Sequence, residues 1–305
     1  MIGKIFLGLL ALLPLSIAAG FGAIYYVGAW NIVFPSHRHE TTAPPLPDGL
    51  SSPAVLLFTK TNGFRHREGI RAGAEFVKAL AARRGWSIFR TENGAVFNAG
   101  DLSRFDAVVF HNTTGDVLGD RQRAAFRAWL ERGGGWVGTH AAGDDSHAAW
   151  PWYLENLIGA NFTAHIMGPQ FQVAEVRNEN PAHPVMSALP ARWRHEEEWY
   201  SWEESPRSRG FTILATIDED SYNPAMNFMG RFEDLSMGDH PVVWSRCLGR
   251  GRAVYSALGH AAEAYAEPHH RLLLESALDW VMDDRACEEE RPRPEESAMM
   301  EATDG

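Results

Sequence analysis

The sequence predicts an α/β layered fold on a mainly parallel sheet. Two observations carry this. Short continuous apolar runs such as Ala54-Val55-Leu56-Leu57-Phe58-Thr59 alternate with helical periods, the pattern of buried parallel strands and their crossover helices. The stretch Gly133-Gly134-Gly135-Trp136-Val137-Gly138-Thr139-His140-Ala141-Ala142-Gly143-Asp144-Asp145 then follows a helix period, runs through an apolar segment and ends in small and polar residues. That order describes a buried strand delivering polar groups to a sheet edge, where open parallel sheets bind ligands.

From the N-terminus, Ile5 to Ser36 holds no Lys, Arg, Asp or Glu, with Lys4 before it and Arg38 after it. A run exceeding the ~20 apolar residues that cross a bilayer reads as a signal anchor or transmembrane helix over 1–34. A cleaved signal, cut near Ala18, Ala19, Gly20 and Gly22, is the second reading. The apolar character continues past the h-region of about 7–15 residues that such signals carry. Tyr25, Tyr26 and Trp30 suit an interfacial belt, and Lys4 favours an exported, periplasmic or extracellular body. Residues 35–53 read as a linker, since proline at this density keeps the chain extended.

In the body, Ile70, Ala74, Val77, Leu80 and Ala81 keep a helical period that Gly85 ends. Trp86–Arg90 and Phe105–Asn112 read as strands. Asp120 is placed to cap a helix that buries Phe126, Trp129 and Leu130, and Trp136–Thr139 is the fourth strand. Further on, a short helix opens at Pro151, and Phe171–Val176, Phe211–Ile217, Pro241–Ser245 and Arg252–Leu258 read as strands. A final helix from Pro268 is expected to bury Leu272, Leu273, Ala277, Trp280 and Val281. Residues 54–283 form one domain, and 284–305 read as a disordered acidic tail.

The formal charge of −11 argues against nucleic-acid binding, which needs clustered Lys and Arg. Two cysteines, Cys247 and Cys287, outside any C-x-x-C pattern, predict no disulfide framework. The sequence lacks G-x-x-x-x-G-K-[ST] and G-x-S-x-G, so neither a phosphate loop nor a serine-hydrolase elbow is expected. What remains are histidines after strands: His66 in Gly63-Phe64-Arg65-His66, His140, His165 and His260. Histidine binds metals as neutral imidazole and moves protons near neutral pH. These four are therefore the candidate ligands for a divalent metal, although no H-E-x-x-H is present. Glu198, in Glu196-Glu197-Glu198-Trp199-Tyr200, supplies a carboxylate beside aromatics.

Taken together these segments resemble the ThuA-like (trehalose utilisation) family. The resemblance rests on Phe64-Arg65-His66, Gly135-Trp136-Val137-Gly138-Thr139-His140-Ala141-Ala142 with Trp152, Phe162 with His165, Asn180-Pro181-Ala182-His183-Pro184, Glu198-Trp199-Tyr200, His240-Pro241-Val242-Val243-Trp244, and Gly251-Arg252-Ala253-Val254-Tyr255 with Gly259-His260. It implies a flavodoxin-like, class I glutamine amidotransferase-like three-layer sandwich. It also implies a role in disaccharide use through 3-keto-sugars. The elbow that carries cysteine in true amidotransferases reads Gly138-Thr139-His140 here, so thiolate chemistry is not expected.

The resulting expectation is a membrane-anchored protein acting on a small carbohydrate. His140, His66, Asp144 and Glu198 are the catalytic candidates, with Asp144 orienting an imidazole. Arg65, Trp152, His165, Tyr200 and His260 are the substrate-binding candidates, with Arg65 on an oxyanion and Trp152 or Tyr200 stacked on a sugar ring. A non-catalytic sugar-binding or scaffolding module and a metal-dependent hydrolase are the alternatives.

Overall fold

The computed structural model describes residues 16–228, 230–285 and 287. The first part of the expected membrane segment and nearly all of the expected tail lie outside these residues. Thirteen strands are present among the described residues: β1 Ala54–Phe58, β2 Ser87–Thr91, β3 Ala107–His111, β4 Gly135–Thr139, β5 Phe162–His165, β6 Gln172–Asn178, β7 Arg192–Glu197, β8 Tyr200–Trp202, β9 Thr212–Asp218, β10 Ala225–Phe228, β11 Arg231–Asp234, β12 Pro241–Leu248 and β13 Gly251–Ser256. Nine make one sheet in the order β2-β1-β3-β4-β13-β12-β9-β6-β7.

The first five of these run parallel. Their order, with β13 in fifth place, is that of doubly wound flavodoxin-like sheets. Beyond β13 every pairing is antiparallel. The sheet is thus mixed, with the expected parallel character confined to the half that β1 to β4 begin. All residues of β1, β3 and β4 are buried, which is why they read as unbroken apolar runs.

Helices cover both faces of the parallel half. On one face Arg67–Arg84 and Pro268–Val281 lie side by side, joined by Arg84 to Glu275 and Asp279. On the other, Asp120–Glu131 sends Phe126 against Phe110, and Trp136 completes the aromatic layer. Gly119, not Asp120, is the N-cap of that helix, and its N–H donates to the Gln122 side chain at 2.9 Å. In the last helix Leu274 and Leu278 join Leu273, Ala277 and Val281 in the core, while Leu272 and Trp280 are only partly buried.

Residues 35–53 hold no helix or strand, but their middle is tied to the body. The buried Lys60 ammonium donates to Glu40 Oε2 at 2.8 Å and to the Arg38 carbonyl at 2.9 Å. Cys247 and Cys287 form a disulfide, contrary to the sequence reading. Spacing alone could not show this, because the return of the chain after the last helix brings Cys287 beside β12.

Candidate functional site

Four polar side chains converge beyond the carboxyl ends of the parallel strands. His66 closes the loop after β1 and stands just before the helix Arg67–Arg84. His140 follows β4 directly, and His260 lies in the turn after β13. Glu198 sits in the short link between β7 and β8. One ligand atom from each of the four lies within 4.8 Å of all the others.

His140 is the most constrained member. Its φ of 46° is left-handed, a conformation that non-glycine residues seldom adopt. The Tyr255 hydroxyl donates to its carbonyl at 2.6 Å and holds the turn. Nδ1 lies 2.9 Å from the Ala257 carbonyl, an acceptor only, so Nδ1 carries the proton and Nε2 faces the cluster. Nε2 is 3.0 Å from His260 Nδ1 and 3.3 Å from Glu198 Oε2. His260 Nδ1 reaches the same carboxylate oxygen at 2.9 Å. The other Glu198 oxygen meets His165 Nδ1 at 3.0 Å and the Gln170 amide. His66 Nδ1 is buried without a hydrogen-bond partner.

The electrostatics follow from this crowding. Burial and then the neighbouring His140 and His260 push His66 well below the ordinary histidine range, keeping it neutral. Burial also opposes charge on His140, but Glu198, Glu197 and the Ala257 carbonyl outweigh it and raise its pKa. Burial pushes the Glu198 carboxyl up. The hydrogen bonds with His140 and His260 override that and hold it well below the usual carboxylate range.

A second carboxylate, Glu197, builds the scaffold. It is fully buried and accepts three backbone N–H groups: Gly259 at 2.6 Å, Glu198 at 3.0 Å and His260 at 3.3 Å. One side chain thereby fixes both the Glu198 link and the His260 turn. His195 lies between Glu197 and Glu267, at 3.6 and 3.7 Å. Burial disfavours its charge, yet the two carboxylates raise its pKa to about 9. Asn112, itself left-handed, donates to the Gly259 carbonyl at 3.1 Å. Glu197 holds Glu198 and His260 through their backbone N–H groups, so if the cluster takes a divalent metal, Glu197→Gln is expected to weaken its binding by about 10–100-fold, as loss of such outer partners does. A metal titration checks this, and unchanged affinity would mean that the turn holds itself.

A cavity of about 420 Å³ opens beside the cluster, lined by His66, Asp144, Phe162, His165, Glu198, Tyr200 and His260 among others. The Tyr200 ring packs 4.3 Å from His140, centroid to centroid, and 4.6 Å from Phe162. Asp144 is in the cavity wall but orients no imidazole. Its Oδ1 accepts the Ser146 N–H at 3.0 Å and the Ser146 hydroxyl, and the expected orienting role falls to Glu198. Burial pushes the Asp144 carboxyl up to about 7. The folded-state value exceeds the ~3.9 of a free Asp, so the stability tied to its proton is whole below about pH 4 and is lost as pH rises through 7. Asp144→Asn is expected to melt like the parent near pH 4 and above it at pH 8. Thermal melts at the two pH values measure this, and parallel curves for both proteins would refute the assignment.

Two expected binding residues are elsewhere. Arg65 borders an outer groove, but its guanidinium is taken up by Glu92 at 2.7 Å and Thr61 at 2.9 Å, leaving it unsuited to an oxyanion. Trp152 stacks on Trp150 and packs under Arg127, away from the cavity, so it faces no sugar. The sequence reading missed Glu197, Tyr255 and Asn112 as supports. For Glu197 a signal existed: the alternation in Arg192–Glu197 places Trp193, His195 and Glu197 on one buried face.

A family model described as ThuA, trehalose utilisation, matches residues 54–281. The chain belongs to the ThuA family. Among solved structures, the ThuA fold seen here is similar to a putative ThuA-like protein from Bacteroides uniformis. The two share 28% identity over 79% of this chain and 95% of that one, with a TM-score of 0.64. A second putative ThuA-like protein, from Parabacteroides merdae, is 19% identical over 79% and 93% of the two chains, with a TM-score of 0.58. No curated protein matches. Both cysteines of this ThuA-family chain are in the disulfide, so no thiol is available for the nucleophilic chemistry of amidotransferases.

Proposed function

We propose that this ThuA-family protein is a divalent-metal enzyme acting on a keto-carbohydrate. The observation that carries the reading is the convergence of three imidazoles and one carboxylate, His66, His140, His260 and Glu198, within 4.8 Å. Ions such as zinc take nitrogen and oxygen ligands at about 2.0–2.2 Å, so small side-chain adjustments, opening the His140–His260–Glu198 contacts and bringing the His66 ligand atom in, would let the four share one ion. The neutral His66 and the ionised Glu198 are the ligand states a metal requires, while His140, which Glu198 biases toward protonation, would release its Nε2 proton on binding and keep Nδ1–H on the Ala257 carbonyl.

A bound ion would polarise a carbonyl oxygen of the substrate and so acidify the adjacent C–H. Asp144, in the cavity wall with a pKa of about 7, is the residue suited to exchange that proton near neutral pH. His165 at the rim and the Tyr200 and Phe162 rings would orient the sugar through its hydroxyls and its C–H faces. Trehalose utilisation as the family's description, together with the 3-keto-sugar route the resemblance implies, supports a 3-keto-glycoside as the substrate.

The test incubates the full chain with 3-keto-trehalose, before and after chelation, with elemental analysis of the protein. Bound metal, turnover lost on chelation and recovery on adding the ion back are expected. Turnover by metal-free protein would overturn the metal role. A metallated protein that leaves the substrate unchanged would favour a sugar-binding module.

A further inference from the structure

The segment preceding the body is not a loose leader. Residues 16–26 are helical, and Trp30–Val33 forms one more helical turn. Its apolar side chains nonetheless face outward: Phe21, Tyr26, Val27, Ile32, Val33 and Phe34 are all exposed, Tyr26 by 81%. The aromatic rings cluster with one another, Trp30 and Phe34 at 4.7 Å, outside the core. Monomeric proteins seldom leave a contiguous apolar surface of this kind uncovered.

This surface is bolted to the rim of the site. The Arg65 N–H donates to the Gly28 carbonyl at 2.9 Å, one residue before His66. The Asn31 amide donates to the Thr61 carbonyl at 2.8 Å. Arg67 donates to the Tyr25 carbonyl at 2.7 Å and lies 4.1 Å from the centroid of its ring. Gly28 approaches so closely that a Cβ there would fall 2.3 Å from the Arg65 carbonyl oxygen. Tyr26 and Val27 border the groove that contains His66 and His260, and Ile32 borders the inner cavity.

We propose that residues 16–34 dock on a lipid bilayer and hold the mouth of the His66–His260 site at the membrane surface. The occupant follows from the chain that continues the patch: residues 1–15 add apolar side chains with Lys4 as their one charged residue. A bilayer receives such an apolar surface, with Tyr25, Tyr26 and Trp30 at the headgroup level. Among the described residues no helix is long and apolar enough to cross a membrane, and the hydrogen bonds joining Gly28, Asn31 and Tyr25 to the rim of the site keep residues 25–34 at the level of the body, in the interface. The site therefore draws substrate from the layer of water along the bilayer. The inference does not depend on metal chemistry, and its test reads depth instead of turnover.

The full chain is mixed with phosphatidylcholine vesicles, with and without phosphatidylglycerol, some lipids carrying a doxyl quencher near the headgroup. A fluorophore is attached at Arg71→Cys, on the rim of the groove, or at Arg132→Cys, at the opposite edge of the sheet. Both positions are exposed, so folding is not at stake. Flotation of the chain with the vesicles, and several-fold stronger quenching at 71 than at 132, are expected. Equal quenching in floated protein would reduce the segment to a tether, and failure to float would remove the membrane. A dimer that stays in solution would make the patch a contact between two copies. Each of these outcomes overturns the proposal.

Discussion

Glu198→Gln is expected to abolish metal binding and turnover together. The substitution keeps the size of the side chain and removes its charge. Glu198 Oε2 is the oxygen that His140 and His260 share, at 3.3 and 2.9 Å, so the amide places either a neutral oxygen or an N–H among the ligand nitrogens. Loss of an outer hydrogen-bond partner costs about 10–100-fold in metal affinity, and loss of the one anionic ligand should exceed that range. His165→Ala is the comparison. His165 touches the other oxygen, Oε1, and is partly exposed, so its loss should lower turnover while metal stays bound. Titration with zinc and with manganese distinguishes the two variants. Parent-like affinity in Glu198→Gln would remove the cluster as a metal site and leave four hydrogen-bonded side chains.

The two variants also mark the limit of what the sequence could reveal. The parallel half was legible because buried parallel strands announce themselves as unbroken apolar runs, and the loops after β1, β4 and β13 necessarily share one edge. The same reading grouped His66, His140 and His260 with His165 at strand ends, whereas the structure puts Glu198 in the fourth place of the cluster and His165 on the other oxygen of that carboxylate. The antiparallel extension was harder. In β7 the buried positions are Trp193, His195 and Glu197, so the buried face is mostly polar and no hydrophobic period appears. In the carboxylate run Glu196-Glu197-Glu198 the alternation separates Glu196, which faces out, from Glu197, which binds backbone, but nothing local shows that Glu198, beyond the strand, meets the imidazoles. Arg65 and Trp152 failed for the opposite reason. Their chemistry suited the site, but Glu92 and Arg127, distant in sequence, had already engaged them. Side-chain allocation among competing partners is a tertiary property that no local pattern carries.

Gly69 makes the same point with the largest expected effect on packing. A glycine in the first turn of a helix looks like a defect, since it costs about 1 kcal/mol relative to alanine in an exposed helix. Here alanine should be the worse residue. A Cβ at position 69 would fall 2.2 Å from the His260 carbonyl oxygen and 2.8 Å from that of Gly259. One turn later a Cβ at Gly73 would strike the His111 ring at 2.4 Å, so positions 69 and 73 give the helix a bare stripe against the top of the sheet. The obstruction at 69 is backbone, and that backbone cannot drift, because Glu197 and Asn112 hold it from the other side. Gly69→Ala must therefore separate the helix that begins beside His66 from the turn that carries His260. A stability loss of about 2–3 kcal/mol is expected, the upper part of the range for overpacking. Metal affinity should fall at least tenfold, because two ligands move apart. Urea denaturation and metal titration on the same variant read both effects. Destabilisation with metal affinity intact would show that His66 is not a ligand, and parent-like stability would show that the helix and the turn do not approach as closely as the geometry requires.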